Sequence, residues 1–247
     1  MDKSLKSSIK RIISETIVDE NIVRQQMTEL LNSLRNTVND IENNWNSKER
    51  EDFIYNQVIS LDFVNDGEFI IKNKSCISNL KDVYNSSDPS KFTTITLFEC
   101  FKGIDIDTNS IYFIKEPFGS KASPDFLIIS KKGILGIEDK SSKRGKVSFN
   151  AGTPGGNKFI MFYDKKEKNI HLISGENWGW GENIEKEYKI FTKEMIQYAK
   201  SKFDERFGDR IKNMTYYARP MLVDKNKVKD IWDKDEESVM YMLRKHF

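Results

Sequence analysis

Two short apolar runs near the middle of the chain constrain its fold more than any other feature. The first run covers residues 125–129 and follows Pro124, and the second covers residues 134–137. A short polar link that contains glycine, residues 130–133, joins them. Two β-type runs separated by such a link predict a β-hairpin.

The predicted hairpin brings acidic and basic side chains together. Side chains alternate between the two faces of a strand, so Glu138 and Lys140 share one face and Asp139 points to the other. The hairpin also places Asp125, at the start of one strand, beside Glu138 and Lys140 at the end of its neighbour. Two converging carboxylates offer oxygen ligands to a hard dication such as Mg2+. Because a neighbouring lysine can orient water or offset charge on a phosphate, the arrangement predicts metal-assisted phosphodiester hydrolysis.

These residues form a pattern that resembles a known nuclease motif. Pro124-Asp125, followed by twelve residues and then Glu138-x-Lys140, is similar to the PD-(D/E)xK motif. The flanking residues 117–126 and 150–157 resemble segments of type II restriction endonucleases. The resemblance extends over roughly residues 110 to 165, and the rest of the chain is interpreted without it.

The resemblance implies a fold and an activity. The expected fold is α/β, with a restriction-endonuclease-like core in which helices flank a central mixed β-sheet. We expect one domain over residues 1–247, with a helical subregion at 1–60 and the catalytic core at 91–223. The implied activity is that of a Mg2+-dependent type II restriction endonuclease. Such an enzyme cuts double-stranded DNA at a specific short sequence and leaves 5′-phosphates.

The resemblance also implies roles for individual residues. Asp125 and Glu138 are expected to bind the metal, with the main-chain carbonyl of Asp139 as a further ligand. Lys140 is expected to position and help deprotonate the attacking water, or to stabilise charge on the phosphate. Many family members have a further acid on a helix before the first strand. Glu99 is the nearest candidate in sequence and Glu51 a more distant one, and the sequence does not choose between them.

DNA binding is expected to depend on local clusters of positive charge. The formal net charge is only +2, so the whole protein is not a polycation. Basic residues follow the predicted site directly, and Asn150 and Asn157 in the next turn-rich loop have side chains of the kind that read base edges. The expected DNA contacts are Ser120, Lys121, Lys143, Arg144, Lys146, Asn150 and Asn157.

Several classes of protein are excluded by what the sequence lacks. No run approaches 18 apolar residues, so no transmembrane helix is expected, and the N-terminus has no apolar signal core. Cys76 and Cys100 have no disulfide or CxxC pattern around them, which predicts reduced thiols and a cytoplasmic location. His171 and His246 are too few and too far apart for a histidine-based metal nuclease. His171 is expected to be a structural histidine in a strand.

Apolar spacing predicts the remaining elements. Helices are expected over residues 3–18, 27–45, 46–60 and 182–207, the last ending at Gly208. Strands are expected over residues 68–72, 110–115, 158–163 and 169–173, with 147–149 extending the sheet and 215–223 at its edge. The helix over 27–45 has a coiled-coil-like seam that can pack on the protein's own core or on a second copy. Because cutting both DNA strands usually takes two active sites, a homodimer is expected, with this helix or the helix at 182–207 at the interface. A monomer that nicks sequentially remains an alternative.

Three other interpretations stay open. The chain is 32% charged, so acid-x-Lys triplets arise by chance, as in Glu187-Tyr188-Lys189. The first alternative is therefore a hairpin with charged ends and no catalytic function. A nuclease of the same fold can act in repair or recombination by recognising DNA structure. A non-catalytic DNA-binding module on a nuclease scaffold is the third. The three intact residues Asp125, Glu138 and Lys140 argue against a module without chemistry.

Overall fold

The structure is a computed structural model whose described residues form six α-helices, one short 3-10 helix (Thr37–Asn39) and eight strands. It describes residues 21–42, 44–85, 101, 104, 107, 110–120, 122–130, 132–143, 146–150, 153, 158–175, 180, 182–208, 210–211, 216, 221–223 and 235–246. The helices are α1 (residues 21–36), α2 (Ser47–Ile59), α3 (Glu68–Ile71), α4 (Lys74–Asn85), α5 (Glu182–Phe207) and α6 (Asp235–His246). The strands are β1 (Val64–Asp66), β2 (Ile111–Lys115), β3 (Phe126–Ile129), β4 (Ile134–Ser142), β5 (Ser148–Asn150), β6 (Lys158–Asp164), β7 (Asn169–Ser174) and β8 (Met221–Val223).

Six strands form one open mixed sheet in the order β1-β2-β3-β4-β6-β7. The pairs β1–β2 and β4–β6 are parallel, and the other three pairs are antiparallel. The predicted mixed sheet flanked by helices is therefore confirmed. The predicted hairpin is also confirmed, because β3 and β4 pair antiparallel with Phe126 opposite Ile137 and Ile129 opposite Ile134.

The central strands are apolar because both faces of the sheet are covered. All four residues of β3 and all seven of β6 are buried. Alternate residues of β3 enter different clusters: Phe126 and Ile128 pack with α1, α2 and α6, while Leu127 and Ile129 pack with α3 and α4. Full burial of such side chains contributes about 1.5–3 kcal/mol each, so the hairpin that carries the site is strongly anchored.

The N-terminal helices pack on this sheet within the chain. The helix predicted over residues 27–45 is wrong beyond residue 36, where α1 ends and Thr37–Asn39 form a short 3-10 helix. The part of the predicted seam that lies on α1 is buried, with Met27, Leu31 and Leu34 fully inaccessible to solvent. The predicted helix over residues 46–60 is confirmed as α2. It begins after Asn46, whose side chain accepts a hydrogen bond from the Glu49 backbone amide at 3.0 Å. The backbone amide of Asn46 in turn donates to the Glu49 carboxylate at 2.8 Å. This reciprocal cap fixes where α2 begins, and the helix contacts β1, β2 and β4.

The expected strand over residues 68–72 is wrong. The strand comes earlier, as β1, and Glu68–Ile71 form the short helix α3. The Asp66 carboxylate accepts a hydrogen bond from the Glu68 amide at 2.7 Å, so this aspartate favours a helical turn where the apolar residues alone suggested a strand. The sequence analysis also missed α4, which buries Cys76 and Leu80.

Residues 147–149 do not extend the central sheet as expected. β5 instead pairs with β8 in a separate two-stranded antiparallel sheet. Of the edge strand predicted over 215–223, residues 215 and 217–220 lie outside the described residues. The long helix is confirmed as α5, and the Gly208 amide donates to the Asp204 carbonyl at 2.8 Å just beyond its end. The predicted helix over residues 3–18 lies outside the described residues. Within the described part of the chain, no helix has both the length and the apolar character to cross a membrane.

Candidate active site

The structure brings Asp125 and Glu138 together beside the β3–β4 hairpin. Asp125 directly precedes β3, and Glu138 lies within β4, one residue beyond the paired part of the hairpin. The backbone amide of Asp139 donates a hydrogen bond to Asp125 Oδ2 at 2.7 Å. This bond holds the Asp125 carboxylate against the backbone of β4, next to Glu138, as the sequence predicts.

Lys140 lies on the same face of β4 as Glu138. Its Nζ donates to Glu138 Oε1 at 2.5 Å and to the main-chain carbonyl of Asp139 at 3.2 Å. The side chains of Lys140 and Glu138 keep 23% and 13% of their surface exposed, so the pair is sheltered but reachable from solvent. All the residues to which sequence analysis assigned catalysis or metal binding therefore lie in one cluster.

The loop between β2 and β3 adds a serine to this cluster. The Glu116 amide donates to the Asp125 carbonyl at 2.7 Å and so continues the ladder between the two strands. Gly119 turns the loop with φ +93°, a left-handed conformation that favours glycine. The loop returns to place Ser123 Oγ 2.6 Å from Glu138 Oε2, to which it donates. Both oxygens of Glu138 are thus held by hydrogen bonds.

A second lysine reaches the cluster from β6. Lys158 opens this strand opposite Gly136 of β4, so its side chain lies on the face that also carries Glu138. It is 7% exposed, and its Nζ donates to Ser123 Oγ at 2.8 Å. Burial lowers the pKa of Lys158, and the negative charge of Glu138 opposes that effect.

Asp139 points to the opposite face, where it binds an arginine of α2. Arg50 Nε donates to Asp139 Oδ2 at 2.9 Å and to Oδ1 at 3.2 Å, and the Arg50 Nη2 also donates to Oδ2. The two side chains are 3% and 0% exposed. This buried pair ties α2 to the strand that carries Glu138 and Lys140.

The two site carboxylates have pKa values that move in opposite directions. Burial, followed by the negative charge of Glu138, raises the pKa of Asp125 to about 7, although Lys140 and the Asp139 amide oppose the rise. Burial would raise the pKa of Glu138 as well, but the charges of Lys158 and Lys140 and the hydrogen bonds from Lys140 and Ser123 outweigh it and lower this pKa. Divergent pKa values in a buried carboxylate pair are typical of functional sites.

Of the two helix acids considered from sequence, Glu51 lies within the described residues and Glu99 lies outside them. Glu51 follows Arg50 on α2. Burial, and next the charge of Asp139, raise the pKa of Glu51 to about 7, while Lys115 and Arg50 oppose the rise. Glu51 is thus electrostatically linked to the strand that carries the site.

The donor set fits Mg2+ in its chemistry. Asp125, Glu138 and the Asp139 carbonyl supply hard oxygen atoms, and Mg2+ usually binds one or two carboxylates while it keeps several waters. Among the described residues, no group of three or more His, Cys, Asp or Glu side chains is arranged to hold a metal ion. A softer metal that prefers thiolate or imidazole ligands does not fit this set.

The expected DNA contacts are described only in part. Ser120, Lys143 and Lys146 are exposed, and Lys143 directly follows β4. Asn150 lies in β5 with Met221 as its partner. The predicted contacts Lys121, Arg144 and Asn157 lie outside the described residues. Cys100, which was expected to be a reduced thiol, lies outside them as well. His171 is buried in β7, as expected for a structural histidine.

Sequence reasoning missed Arg50, Ser123 and Lys158. Arg50 has no local signal, because its partner lies 89 positions away in the chain. Ser123 adjoins the Pro-Asp pair, and Lys158 is the one cation in the otherwise apolar run KFIMFY. The position of Lys158 at the start of a predicted buried strand was the available signal that its ammonium lies near the site.

Comparison of the chain with protein-family models, with curated proteins and with solved structures finds no significant match. The chemistry of the site is that of two neighbouring carboxylates, one of them easily protonated, with two lysines beside them.

Proposed function

We propose that this protein is a Mg2+-dependent endonuclease of the type II restriction class, with a restriction-endonuclease-like core. The observation that supports it best is the convergence of Asp125, Glu138 and Lys140 at the β3–β4 hairpin. An acid-x-Lys triplet arises easily by chance in a charged chain. A second buried carboxylate, held beside the triplet by the Asp139 amide, favours a functional site over a chance triplet.

Each residue has a distinct role in the proposed hydrolysis. Asp125 and Glu138 would hold Mg2+ with the Asp139 carbonyl, and the ion would supply Lewis-acid polarisation of the phosphate. Lys140 Nζ, held by Glu138, orients the attacking water and offsets negative charge in the transition state. The Asp139 amide keeps Asp125 in place. The products would be a 3′-hydroxyl and a 5′-phosphate.

The substrate is double-stranded DNA in this proposal. Lys143 and Lys146 are exposed shortly after the strand that carries the site, which places positive charge where a phosphate backbone would approach. Ser120, in the loop before β3, is also exposed and available for such contacts.

A homodimer would place two such sites on one duplex. The helix α5 was one of two expected at a dimer interface, and several of its large apolar side chains are more than one-third exposed instead of buried in the core. They are Ile184, Ile190, Phe191, Met195, Ile196 and Tyr198. Four of them, Ile184, Phe191, Met195 and Tyr198, recur at helical spacing and share one side of α5, whereas Ile190 and Ile196 lie away from that side. We propose that a second copy covers this surface, termed the α5 face, because cutting both strands usually takes two sites related by a two-fold axis.

A cleavage assay tests the proposal. The purified protein is incubated with unmethylated phage-sized DNA, in Mg2+ or in EDTA, and the products are separated on a gel. Discrete fragments that form only with Mg2+ are expected, and mapping their ends would give the recognition site and the 5′-phosphate.

The same gel separates the alternative functions. A Mg2+-dependent smear or nicking would favour a nuclease that recognises DNA structure. Absence of cleavage in Mg2+ would contradict the proposal, and a gel shift on the same DNA would then indicate a binding module without catalysis.

A further inference from the structure

A chain of hydrogen bonds connects Lys158 to Glu138 through Ser123. Lys158 Nζ lies 2.8 Å from Ser123 Oγ, which in turn lies 2.6 Å from Glu138 Oε2. A lysine ammonium can only donate hydrogen bonds, so Ser123 accepts from it and must direct its own proton to Glu138. The buried lysine therefore sets the direction of the serine hydroxyl.

This chain complements the contact that Lys140 makes. Lys140 binds Oε1 of Glu138, and the Ser123 hydroxyl binds Oε2, so the carboxylate is fixed at both oxygens. A carboxylate held in this way cannot rotate freely. A metal ligand gains affinity when outer residues fix its orientation in advance.

The strand beside Lys158 is closely covered. Gly136, its cross-strand partner, has no side chain, and a Cβ there would lie 2.3 Å from Tyr84 Oη and 3.0 Å from Pro124 Cγ. Tyr84 thus packs directly over β4 beside the site. Lys158 is only 7% exposed, so little water competes with Ser123 for its ammonium.

We infer that Ser123 and Lys158 are positioning residues that fix the orientation of Glu138 for metal binding. The inference rests on the proposed metal-dependent hydrolysis and adds two residues to it. Neither residue reacts: Ser123 acts on Glu138 directly, and Lys158 acts through Ser123.

Serine variants give the sharpest test, because they leave every charge unchanged. Mn2+ binding is measured by electron paramagnetic resonance without DNA, for wild type, Ser123→Ala and Ser123→Thr. We expect Ser123→Ala to weaken Mn2+ binding about tenfold and Ser123→Thr, which keeps the hydroxyl, to stay within about twofold of wild type. Equal Mn2+ affinity in wild type and Ser123→Ala would overturn the inference. Thermal unfolding of each variant verifies that it is folded.

A double-mutant cycle with Ser123 tests the role of Lys158. Cleavage rates of phage-sized DNA in Mg2+ are compared for Ser123→Ala, Lys158→Met and the double variant. If Lys158 acts through Ser123, Lys158→Met slows cleavage about tenfold in the wild-type background and much less in the Ser123→Ala background. Additive losses would overturn this part of the inference. Lys166→Met, at an exposed lysine in the β6–β7 turn, is the matched control and should cleave like wild type.

The two assays keep the inference separate from the proposed function. Failure of the wild-type protein to cleave any DNA would count against the proposed nuclease. The Mn2+ affinities of the serine variants would still decide whether Ser123 positions Glu138.

Discussion

The two site carboxylates differ in how easily they ionise, and this difference has consequences for stability. Glu138 is surrounded by two lysines and a hydroxyl donor, whereas Asp125 is buried beside the charge of Glu138. Holding both carboxylates ionised without a metal therefore costs free energy, and binding of a dication would offset that cost. Sites of this kind trade stability for function.

Asp125→Asn should stabilise the metal-free protein at alkaline pH. The pKa of Asp125 rises from 3.8 to about 7 in the folded state, so this group's contribution to stability is fully present below pH 3.8 and is lost as pH rises through 7. Asparagine has no such ionisation and can still accept the Asp139 amide. In EDTA at pH 8 we expect the variant to have a free energy of unfolding about 2 kcal/mol higher than wild type, with a smaller gain at pH 5.

Urea denaturation at the two pH values measures this gain. Mg2+ should raise the midpoint of wild type at pH 8 and leave that of Asp125→Asn nearly unchanged, because the variant lacks one metal ligand. A pH-independent difference between the two proteins would show that Asp125 is not under electrostatic strain.

At the scale of elements, the site depends on a helix that lies far from it in sequence. The Arg50–Asp139 pair joins α2 to β4, and the backbone of Asp139 supplies both the amide that holds Asp125 and the carbonyl expected to bind metal. The cap between Asn46 and Glu49 fixes where α2 begins, and Arg50 is the next residue after Glu49.

Arg50→Met should be strongly destabilising, because it leaves the Asp139 carboxylate buried without its partner. Removing one member of a buried ion pair typically costs about 3–5 kcal/mol. The double variant Arg50→Met/Asp139→Asn removes the orphaned charge and should recover part of that loss in urea denaturation. A double variant as unstable as the sum of the two single variants would show that the pair is not coupled.

Elements were predictable where the pattern was local. The β3–β4 hairpin was predictable from two apolar runs and a short link, and the alternation of side chains along β4 placed Glu138 and Asp139 on opposite faces. The helix α5 was predictable from apolar residues at helical spacing that stop before Gly208. The strand expected over residues 68–72 was wrong because the hydrogen bond from the Glu68 amide to Asp66 begins a helix there. An apolar run of that length suits either element, and only its neighbours decide between them.

At the scale of the whole molecule, long-range contacts set the limit of prediction. The proximity of Asp125, Glu138 and Lys140 could be inferred, since one hairpin carries all three. Arg50 could not, because it reaches Asp139 across the packing of α2 on the sheet. The separate β5–β8 sheet was missed for the same reason, since its two strands are far apart in the chain.

The exposed α5 face predicts self-association. Tyr198 and Phe191 are 62% and 55% exposed, and both lie on the helical surface proposed as the dimer interface. Phe191→Glu/Tyr198→Glu would place charge in that interface, so we expect the molecular mass in sedimentation equilibrium to fall from twice the chain mass to the chain mass. Lys200→Glu, at an exposed position on the same helix, is the control. A wild-type protein that sediments as a monomer on DNA as well as alone would contradict the proposed dimer.

The most direct test of the central claim is the Mg2+-dependent DNA cleavage rate of Asp125→Asn and Glu138→Gln. Two matched controls carry the same changes at exposed sites, Asp62→Asn and Glu187→Gln. If the two carboxylates hold the metal that promotes hydrolysis, each site variant should lose at least about 100-fold in rate while it remains folded, and each control should cleave like wild type. A folded Asp125→Asn protein that cleaves DNA at the wild-type rate would contradict the assignment of this site.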